Sequence, residues 1–402
     1  MADKPIINLN HNLSEAPLWN QTIASTPKIT VGLQPILKWP GGKERELKYI
    51  IPYAPTFRRY FEPFVGGGSV FMAVSAEEYH INDFSDELMA LYYCISTRDK
   101  HFYEYAESID KSWENASVFF ERNYWQLVHI YHEYREKKIS KDCLRNVIRD
   151  FCASVGTSVD VIINQGLPKE SDVLKVEMEN NLYRKMVRMD ELEKKKHPLP
   201  EIDVAENIKT AVKSAVYMYF RHLYNQCVSV PYYSLSSALF LFIRNYAYSG
   251  MFRYSSNGGF NVPYGGMAYN RKSMKKKLDY YRSESLLAHF ADTRLYNLDF
   301  ESFLDRTAPG PDDFVFLDPP YDSEFSTYSK KVFTHSDHER LAHCIINKCR
   351  AKWMMIIKNT NFIYNLYSGY PNLKIRMFDK EYVVSFMNRN DKKVTHLLIT
   401  NY

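Results

Sequence analysis

Strand and helix patterns alternate in two separate parts of this sequence, and a long block of helical pattern lies between them. Residues 35–100 and residues 290–402 both combine short apolar runs with turn signals. From about residue 101 to residue 235, apolar residues recur at intervals of three and four, as they do in amphipathic helices. This arrangement predicts an α/β sheet that carries a helical insertion between its strands.

Most elements of the last part can be placed from their apolar runs. We predict strands at 293–297, 314–317 and 353–357, a helix at about 337–349, and a closing pair of strands at 382–387 and 395–400. Within the insertion, residues 120–131 and 208–223 carry apolar stripes typical of helices that face a core. Residues 1–34 are polar with scattered prolines and are predicted to be an N-terminal extension.

Composition excludes several classes of protein. With 45% hydrophobic and 25% charged residues, the chain can bury a core, which excludes disorder or a fibrous repeat as its main theme. No apolar run approaches the roughly 18 residues of a membrane span, and the N-terminus has no secretory signal, so we expect a cytoplasmic protein. The six cysteines lack Cys-x-x-Cys and zinc-ligand spacings, which predicts reduced thiols and no metal site.

Glycine is scarce and clustered. Only 15 of the 402 residues are glycine, and ten of them fall at positions 41–42, 66–68 and 250–266, where we expect tight turns or close approach to a ligand. The run Phe-Glu-Pro-Phe-Val at 61–65 leads into the second cluster, which is predicted to open a helix like the first turn of a nucleotide-binding fold. Because Gly-x-x-x-x-Gly-Lys-Ser/Thr is absent, ATP hydrolysis is disfavoured.

An acidic residue follows at the spacing expected for such a fold. Asp83 lies 17 residues beyond Gly66, at the end of the next predicted strand. An acid at this position usually holds ribose hydroxyls, and a structural cap is the alternative interpretation.

The strongest chemical motif is Phe-Leu-Asp-Pro-Pro-Tyr at residues 316–321. An apolar strand that ends in this way places a carboxylate, a carbonyl and an aromatic face at the carboxyl edge of a sheet, where open α/β sheets bind ligands. The two prolines remove amide donors, so the turn offers acceptors suited to an amino group on a planar ring. Alone, the same string could be an accidental turn that ends a strand.

Basic charge is concentrated in one segment. The net charge of +5 is small for this length, but residues 240–278 contain seven basic residues, several aromatics and no Asp or Glu. Together with the turn signal Asn-Gly-Gly at 257–259, this predicts a hairpin that contacts nucleic acid. The alternative is a solvated hairpin followed by a basic helix.

In combination, the motifs resemble those of Dam-type DNA adenine N6-methyltransferases, the alpha-ordered D12 class. Leu-Lys-Trp-Pro-Gly-Gly-Lys at 37–43 resembles their N-terminal cofactor motif, and residues 61–71 resemble their Phe-x-Gly-type motif. Asn82-Asp83 is similar to their ribose-binding acid, residues 318–321 to their catalytic motif, and residues 239–266 to their DNA-contacting hairpin. The helical block is longer than in compact members of that class.

The resemblance implies a fold and a division of the chain. The expected fold is a Rossmann-like, S-adenosylmethionine-dependent methyltransferase sheet with an inserted, mainly helical target-recognition domain and a β-hairpin. After the extension at 1–34, the catalytic domain would comprise residues 35–100 and 290–402. Residues 101–289 would form the helical insertion and DNA-recognition domain, with the hairpin at about 244–270.

Specific residue roles are also implied by the resemblance. Catalysis is expected from Asp318, Pro319 and Tyr321, with the base flipped out of the duplex. Cofactor binding is expected from Trp39, Lys43, Phe64, Gly66, Asp83 and Asp318, while Asp299-Phe300 is a weaker candidate for which capping is the alternative. DNA contacts are expected from Tyr248, Ser249, Met251, Arg253, Tyr254 and Pro263.

The implied function is site-specific N6-methylation of adenine in double-stranded DNA, with S-adenosylmethionine as donor and no metal. Such an enzyme would act as a monomer or weak dimer, either in restriction–modification beside a cognate endonuclease or as an orphan or phage methylase. Pro-Pro-Tyr turns also occur in RNA and cytosine-N4 methyltransferases, so these remain alternatives. A catalytically silent DNA-binding recognition subunit is a further alternative.

Overall fold

Seven strands form one mostly parallel sheet. The computed structural model describes residues 32–227, 233–255, 257–321, 333–381 and 393–402. The strands are β1 (Arg59–Glu62), β2 (Glu78–Asn82), β3 (Thr293–Tyr296), β4 (Phe314–Leu317), β5 (Lys352–Lys358), β6 (Lys374–Glu381) and β7 (Lys393–Thr400). Their order is β3-β2-β1-β4-β5-β7-β6, and β7 alone runs antiparallel to both of its neighbours. This topology confirms the predicted Rossmann-like α/β fold.

Helices flank the sheet and fill the long connection between two of its neighbouring strands. The described helices are α1 (Leu47–Ile50), α2 (Asp86–Ser96), α3 (Lys100–Arg122), α4 (Tyr124–Arg135), α5 (Lys141–Ser154), α6 (Gly156–Ile162), α7 (Ser171–Glu193), α8 (Glu201–Cys227), α9 (Tyr233–Tyr246), α10 (Lys275–Tyr281), α11 (Glu284–Ala291), α12 (Phe300–Thr307), α13 (His335–His343) and α14 (Asn361–Ser368). Strands β2 and β3 pair directly, although α2 to α11 separate them along the chain. The helical block therefore enters the fold between neighbouring strands.

Four of the predicted strands are confirmed and one strand was missed. The predictions at 293–297, 314–317, 353–357 and 395–400 correspond to β3, β4, β5 and β7. The predicted strand at 382–387 lies outside the described residues. The unpredicted strand is β6, an edge strand whose sequence Lys-Ile-Arg-Met-Phe-Asp-Lys-Glu lacks an apolar run. Charged residues are common in edge strands, where they disfavour pairing with another chain.

Two helix predictions need correction. The helix predicted at 337–349 is α13 followed by a π-helical turn, Cys344–Lys348. The stripe at 120–131 spans two helices, because α3 ends where the side-chain amide of Asn123 donates to the carbonyl of Phe119 at 2.8 Å. The stripe at 208–223 lies within α8 and is buried, as predicted.

Two apolar layers cover the faces of the sheet. In β4, Phe314 and Phe316 face one layer while Val315 and Leu317 face the other, because successive side chains of a strand alternate. Helices α12, α13 and α14 contribute to the second layer, whereas the insertion helices belong to the first. The insertion therefore shares a continuous core with one face of the sheet.

Two further predictions concern the state of the cysteines and the presence of membrane-spanning helices. The six cysteines form no disulfide in the structure; Cys94, Cys152 and Cys344 are buried, Cys227 and Cys349 are half-buried, and Cys143 is exposed. None of the helices in the described ranges is long and apolar enough to cross a membrane.

Candidate active site

The predicted site residues converge where the strand order reverses. Strands β1 and β4 are parallel neighbours, but the chain continues from β1 to β2 on one side and from β4 to β5 on the other. A crevice forms outside the carboxyl ends of strands at such a switch point. Asp318 follows β4, the glycine turn at 66–68 follows β1, and Asp83 follows β2. The sheet topology thus brings three distant motifs to one edge.

Lys43 is the centre of this site. Its side chain is 2% exposed, and its ammonium group donates to the carboxylate of Asp318, to the carbonyl of Gly41 at 2.8 Å and to the hydroxyl of Tyr321 at 3.2 Å. The Asp318 side chain is 18% exposed. A buried cation stabilises an ionised carboxylate and holds it in one orientation. The N-terminal motif therefore orients two residues of the Asp-Pro-Pro-Tyr turn.

Asp83 is bound to the glycine turn. One of its carboxylate oxygens accepts from the backbone N–H of Gly66 at 3.0 Å, and the other accepts from the N–H of Ser85 at 2.9 Å. Burial raises the pKa of the Asp83 carboxyl to about 6, and these two hydrogen bonds oppose that increase. Asp83 thus connects the ends of β1 and β2 and titrates close to neutral pH.

The glycine turn differs from its prediction in two ways. The chain from Gly66 onwards forms successive turns rather than a regular helix, with two helical hydrogen bonds, from the N–H of Met72 to the carbonyl of Gly68 and from the N–H of Val74 to the carbonyl of Val70. The glycines are also needed by the protein's own packing. A Cβ on Gly67 would lie 2.3 Å from the carbonyl oxygen of Leu37, and a Cβ on Gly66 would lie 2.7 Å from the ring of Trp39. The turn therefore lies directly against the N-terminal motif.

Glu62 belongs to the site although the sequence analysis gave it no role. It is 2% exposed at the end of β1 and accepts a hydrogen bond from the hydroxyl of Tyr60 at 2.7 Å. Burial raises the pKa of Glu62 well above its usual range, and the nearby charge of Asp318 acts in the same direction. The acidity of Glu62 is visible in the sequence, but its burial is not.

Comparison with known proteins identifies the family. The profile described as D12 class N6 adenine-specific DNA methyltransferase matches residues 39–191 and 180–384, which is most of the chain.

The chain belongs to this D12 class of DNA methyltransferases.

Relatives of known name agree with this membership. Type II methyltransferase M.CviBI of Paramecium bursaria Chlorella virus NC1A is 34% identical over 40% of this chain, which matches 60% of that relative's length. M1.LlaDCHI of Lactococcus lactis subsp. cremoris, also named a type II methyltransferase, is 21% identical over 93% of this chain and 98% of its own. The DNA adenine methylase of Escherichia coli (strain K12) is 22% identical over 90% of this chain and 93% of its own.

Family membership confirms the predicted class of enzyme. The chain is an adenine-specific DNA methyltransferase of the D12 class, and a methyltransferase family implies S-adenosylmethionine as the methyl donor. Its substrate class is therefore DNA.

The predicted hairpin is present in the methyltransferase. Residues 246–255 run antiparallel to residues 259–265 and are joined by hydrogen bonds between backbone groups: Tyr248 to Pro263 at 2.9 Å, Asn261 to Arg253 at 3.1 Å, Ser255 to Gly259 at 2.8 Å and Gly265 to Tyr246 at 2.9 Å. At the turn, the N–H of Gly258 donates to the carbonyl of Ser255 at 2.9 Å, and Gly258 has a φ of +76°. Glycine suits such a positive φ because it lacks a Cβ.

The six predicted DNA contacts differ in exposure. Tyr248, Ser249, Arg253 and Pro263 are exposed, while Met251 and Tyr254 are half-buried. The guanidinium of Arg253 donates to the side-chain oxygen of Asn261 at 2.8 Å, which orients it along the hairpin surface. The ring of Tyr254 instead packs 5.0 Å from that of Phe252, which makes it part of the hairpin's apolar side.

An arginine that the sequence analysis did not select joins the hairpin to the N-terminal motif. Arg244, in the last turn of α9, is 4% exposed and donates to the carbonyl of Lys38 at 2.9 Å. Its guanidinium lies 5.4 Å from the ring centroid of Trp39 and 4.5 Å from that of Phe252. Arg244 appeared in the sequence only as one of seven basic residues, because nothing in its local pattern indicates burial.

The lysines after the hairpin fall into two groups. Lys275 and Lys276 are exposed at the start of α10. The ammonium of Lys277 instead donates to the carbonyl of Ile36 at 3.0 Å. Burial, together with the charges of Lys38 and Lys272, lowers the pKa of Lys277 to about 8. The predicted basic helix therefore uses one of its three lysines to hold the N-terminal motif.

Phe64, predicted to contribute to cofactor binding, and Asp299, the weaker candidate, both make contacts within the protein. Phe64 packs 5.7 Å from the ring of Phe300 and 5.9 Å from that of Phe333. Asp299 caps α12 by accepting from the N–H of Glu301, and it also pairs with Arg340 at 2.7 Å. These contacts agree with the capping interpretation of Asp299.

Proposed function

We propose that this chain transfers a methyl group from S-adenosylmethionine to N6 of an adenine that has been flipped out of a specific site in double-stranded DNA. The observation that carries the proposal is the contact of buried Lys43 with both Asp318 and Tyr321. This contact orients an acceptor and an aromatic face at the switch point of the sheet, where ligands of α/β proteins bind. Membership in the adenine-specific class supports the same target.

The chemical difficulty is the low nucleophilicity of an adenine amino group, whose lone pair is delocalised into the ring. We assign the Asp318 carboxylate and the Pro319 carbonyl as acceptors of hydrogen bonds from N6. These bonds localise the lone pair on nitrogen and stabilise the positive charge that develops on N6 during attack. Tyr321 provides a face on which the flipped base stacks. Lys43 holds the Asp318 carboxylate in one orientation.

The polar groups around the glycine turn fit the proposed cofactor. When bound, S-adenosylmethionine supplies an electrophilic methyl group on a sulfonium centre. The Asp83 carboxylate offers acceptors for ribose hydroxyls, and the Asp318 carboxylate offers one for an ammonium group. Trp39 and Gly66 would line this side of the site, Lys43 would maintain it through Asp318, and Phe64 would contribute by packing. The protein thereby orients the donor rather than supplying the reactive group.

The parts of the chain would then have separate tasks. We assign catalysis and cofactor binding to residues 35–100 and 290–402, and DNA recognition to residues 101–289. The four exposed hairpin candidates, Tyr248, Ser249, Arg253 and Pro263, are the proposed direct contacts. Met251 and Tyr254 would act by holding the hairpin's shape.

Methyl transfer with product analysis tests the proposal. The purified chain would be incubated with isotopically labelled S-adenosylmethionine and duplex DNA, single-stranded DNA or RNA, and the labelled nucleoside identified by mass spectrometry. We expect N6-methyladenine from duplex DNA. N4-methylcytosine, or methylation of RNA alone, would replace the proposal with one of the other enzyme classes. DNA binding without transfer would indicate a silent recognition subunit.

A cellular role follows from the substrate. We propose a cytoplasmic enzyme that acts as a monomer or weak dimer. The type II names of two relatives support a cognate restriction endonuclease as a partner. Sequencing DNA from cells that express the chain would identify the methylated site and test whether methylation protects it from cleavage.

A further inference from the structure

Arg244 makes one set of contacts with the cofactor motif and another with the hairpin turn. It donates from one guanidinium nitrogen to the carbonyl of Lys38 at 2.9 Å. The other terminal nitrogen donates to the carbonyls of Gly250 and Met251, both at 3.2 Å. The rigid planar guanidinium therefore fixes the distance between the N-terminal motif and the turn at residues 248–251.

Burying this charge is unfavourable without compensation. Arg244 is 4% exposed, and its nearest electrostatic neighbours in the described ranges are three tyrosines rather than a carboxylate. Burial lowers the pKa of the Arg244 guanidinium to about 10. Its acceptors are backbone carbonyls, and its Nε has no acceptor within the described part of the chain. An apolar side chain would avoid this desolvation cost, which points to a task other than stability.

The turn that Arg244 holds has an unusual conformation. Ser249 has a φ of +52° and Gly250 a φ of +62°, so two successive residues are left-handed. This conformation is unfavourable for serine, and hydrogen bonds to the next two carbonyls help to maintain it. The turn presents Tyr248, whose side chain is 43% exposed, at the surface assigned to DNA.

A chain of contacts leads from Arg244 to the cofactor side. The Trp39 ring lies between the guanidinium and the glycine turn, since a Cβ on Gly66 would lie 2.7 Å from its Cδ1. The N–H of Gly66 donates to Asp83. On its other side, Trp39 packs 5.6 Å from the ring of Phe252 in the hairpin. A shift of Trp39 would therefore change the packing of both the glycine turn and the hairpin.

We propose that Arg244 is a positioning residue that couples cofactor binding to DNA binding. Resting on the proposed function, the inference is that a ligand bound at the Gly66–Asp83 side fixes Trp39, and through Arg244 fixes the DNA-contacting turn. DNA bound at the turn would fix the cofactor side by the same contacts. Because such coupling is reciprocal, each ligand must strengthen the binding of the other by the same factor.

Binding titrations measure this coupling directly. The affinity of cognate duplex DNA is determined by fluorescence anisotropy with and without saturating S-adenosylhomocysteine, a product that cannot transfer a methyl group. The affinity of S-adenosylhomocysteine is determined by calorimetry with and without DNA. For the wild-type chain we expect both dissociation constants to fall by the same factor, on the order of tenfold.

Two substitutions test the role of Arg244. Arg244→Met fills the space without donors, and Arg244→Lys keeps the charge but cannot bond Lys38 and the turn together in a fork. We expect the coupling factor to approach one in both variants. If Arg244→Met does not fold, the same coupling factor is measured with Arg244→Lys and with Trp39→Phe. The second of these keeps an aromatic ring against Gly66. Arg253→Ala is the control that should weaken DNA binding while keeping the coupling factor.

The outcomes separate this inference from the proposed function. An unchanged coupling factor in folded Arg244 variants, or a wild-type factor of one, overturns the role of Arg244 even if methyl transfer to DNA is normal. Loss of DNA affinity to the same extent with and without S-adenosylhomocysteine would indicate a purely structural role. Failure of the wild-type chain to bind either ligand would overturn the proposed function as well.

Discussion

Lys43 and Asp318 form a largely buried ion pair although 275 residues separate them in the chain. Lys43 belongs to the N-terminal motif, which precedes β1, and Asp318 directly follows β4. The pair therefore joins a segment before the first strand to a segment after the fourth. Removing one partner of such a pair leaves the other charge buried and unpaired, which is more costly than losing the attraction itself. The pair therefore links the stability of the site to its chemistry.

Asp318→Asn should abolish most methyl transfer in a chain that still folds, although with lower stability, because the buried ammonium of Lys43 loses its anionic partner. The substitution preserves shape and removes the negative acceptor, so we expect the rate to fall on the order of 10²-fold or more. Single-turnover methylation with equal DNA occupancy is the measurement, and circular dichroism checks the fold. Asp312 is an exposed acid that precedes the N-terminal end of β4. Asp312→Asn is therefore the matched control and should retain wild-type turnover. Wild-type turnover in folded Asp318→Asn would contradict the catalytic assignment.

Asp83→Asn should weaken cofactor binding more than DNA binding. The amide replaces one carboxylate oxygen by a donor and removes the charge, which disfavours hydrogen bonds from ribose hydroxyls. Calorimetric titration with S-adenosylhomocysteine measures the effect. Asp292→Asn, an exposed acid just before β3, is its control. An unchanged cofactor dissociation constant in the Asp83 variant would remove this residue from the site.

Cofactor affinity should depend on pH through the same carboxyl. The folded-state pKa of Asp83 is raised to about 6, so the ionised form that accepts two hydroxyls becomes dominant only above that pH. We expect affinity to rise by up to about tenfold between about pH 5 and about pH 7, and this dependence to disappear in Asp83→Asn. The contribution of Asp83 to folding stability has the opposite sign. Because the folded protein binds the proton more tightly, stability falls as pH rises from about 4 to about 6.

Arg253 and the exposed lysines should have separable effects on DNA binding. If Arg253 reads a base edge, Arg253→Ala should lose roughly 1–3 kcal/mol on the cognate site and relax discrimination at one position. The double substitution Lys275→Gln and Lys276→Gln should weaken binding to cognate and scrambled duplexes alike. It should also reduce the dependence of affinity on salt concentration by about the contribution of one phosphate contact for each lysine. Titrations at two salt concentrations distinguish these patterns. Equal losses on both duplexes for Arg253→Ala would move sequence recognition from the hairpin to another part of the insertion.

Lys213→Met should change the pH dependence of stability. Lys213 is buried in α8, donates to the carbonyl of Trp113, and has a pKa lowered by burial from 10.5 to about 7. The unfolded chain therefore binds the proton more tightly, and stability rises with pH above about 7. At 1.36 kcal/mol per pKa unit, the wild-type chain should gain about 2 kcal/mol between about pH 7 and about pH 9 from this group. Urea unfolding should show that gain in the wild type but not in Lys213→Met.

Features that depend on local pattern were predictable from the sequence. The strands β4 and β5 are buried, and their apolar runs marked them, since a strand covered on both faces has no polar alternation. The Asp-Pro-Pro-Tyr turn was likewise evident because proline and an acid directly after an apolar run have a local structural meaning. The edge strand β6 was missed because its side chains are mixed in polarity, and the break at Asn123 was missed because the apolar stripe continues across it.

The relationships between motifs were decided only by tertiary structure. Nothing local distinguishes Arg244, which is buried against Trp39 at the end of α9, from Arg253, which is exposed on the hairpin that follows. Likewise, Lys277 holds the carbonyl of Ile36 while Lys275 in the same run is exposed. The order of the parallel strands and the packing of the insertion against one sheet face set which charges meet. Local pattern is sufficient for the type of each element, because that depends on near neighbours in the chain. Burial, pKa and ion pairing depend on neighbours that only the completed fold supplies.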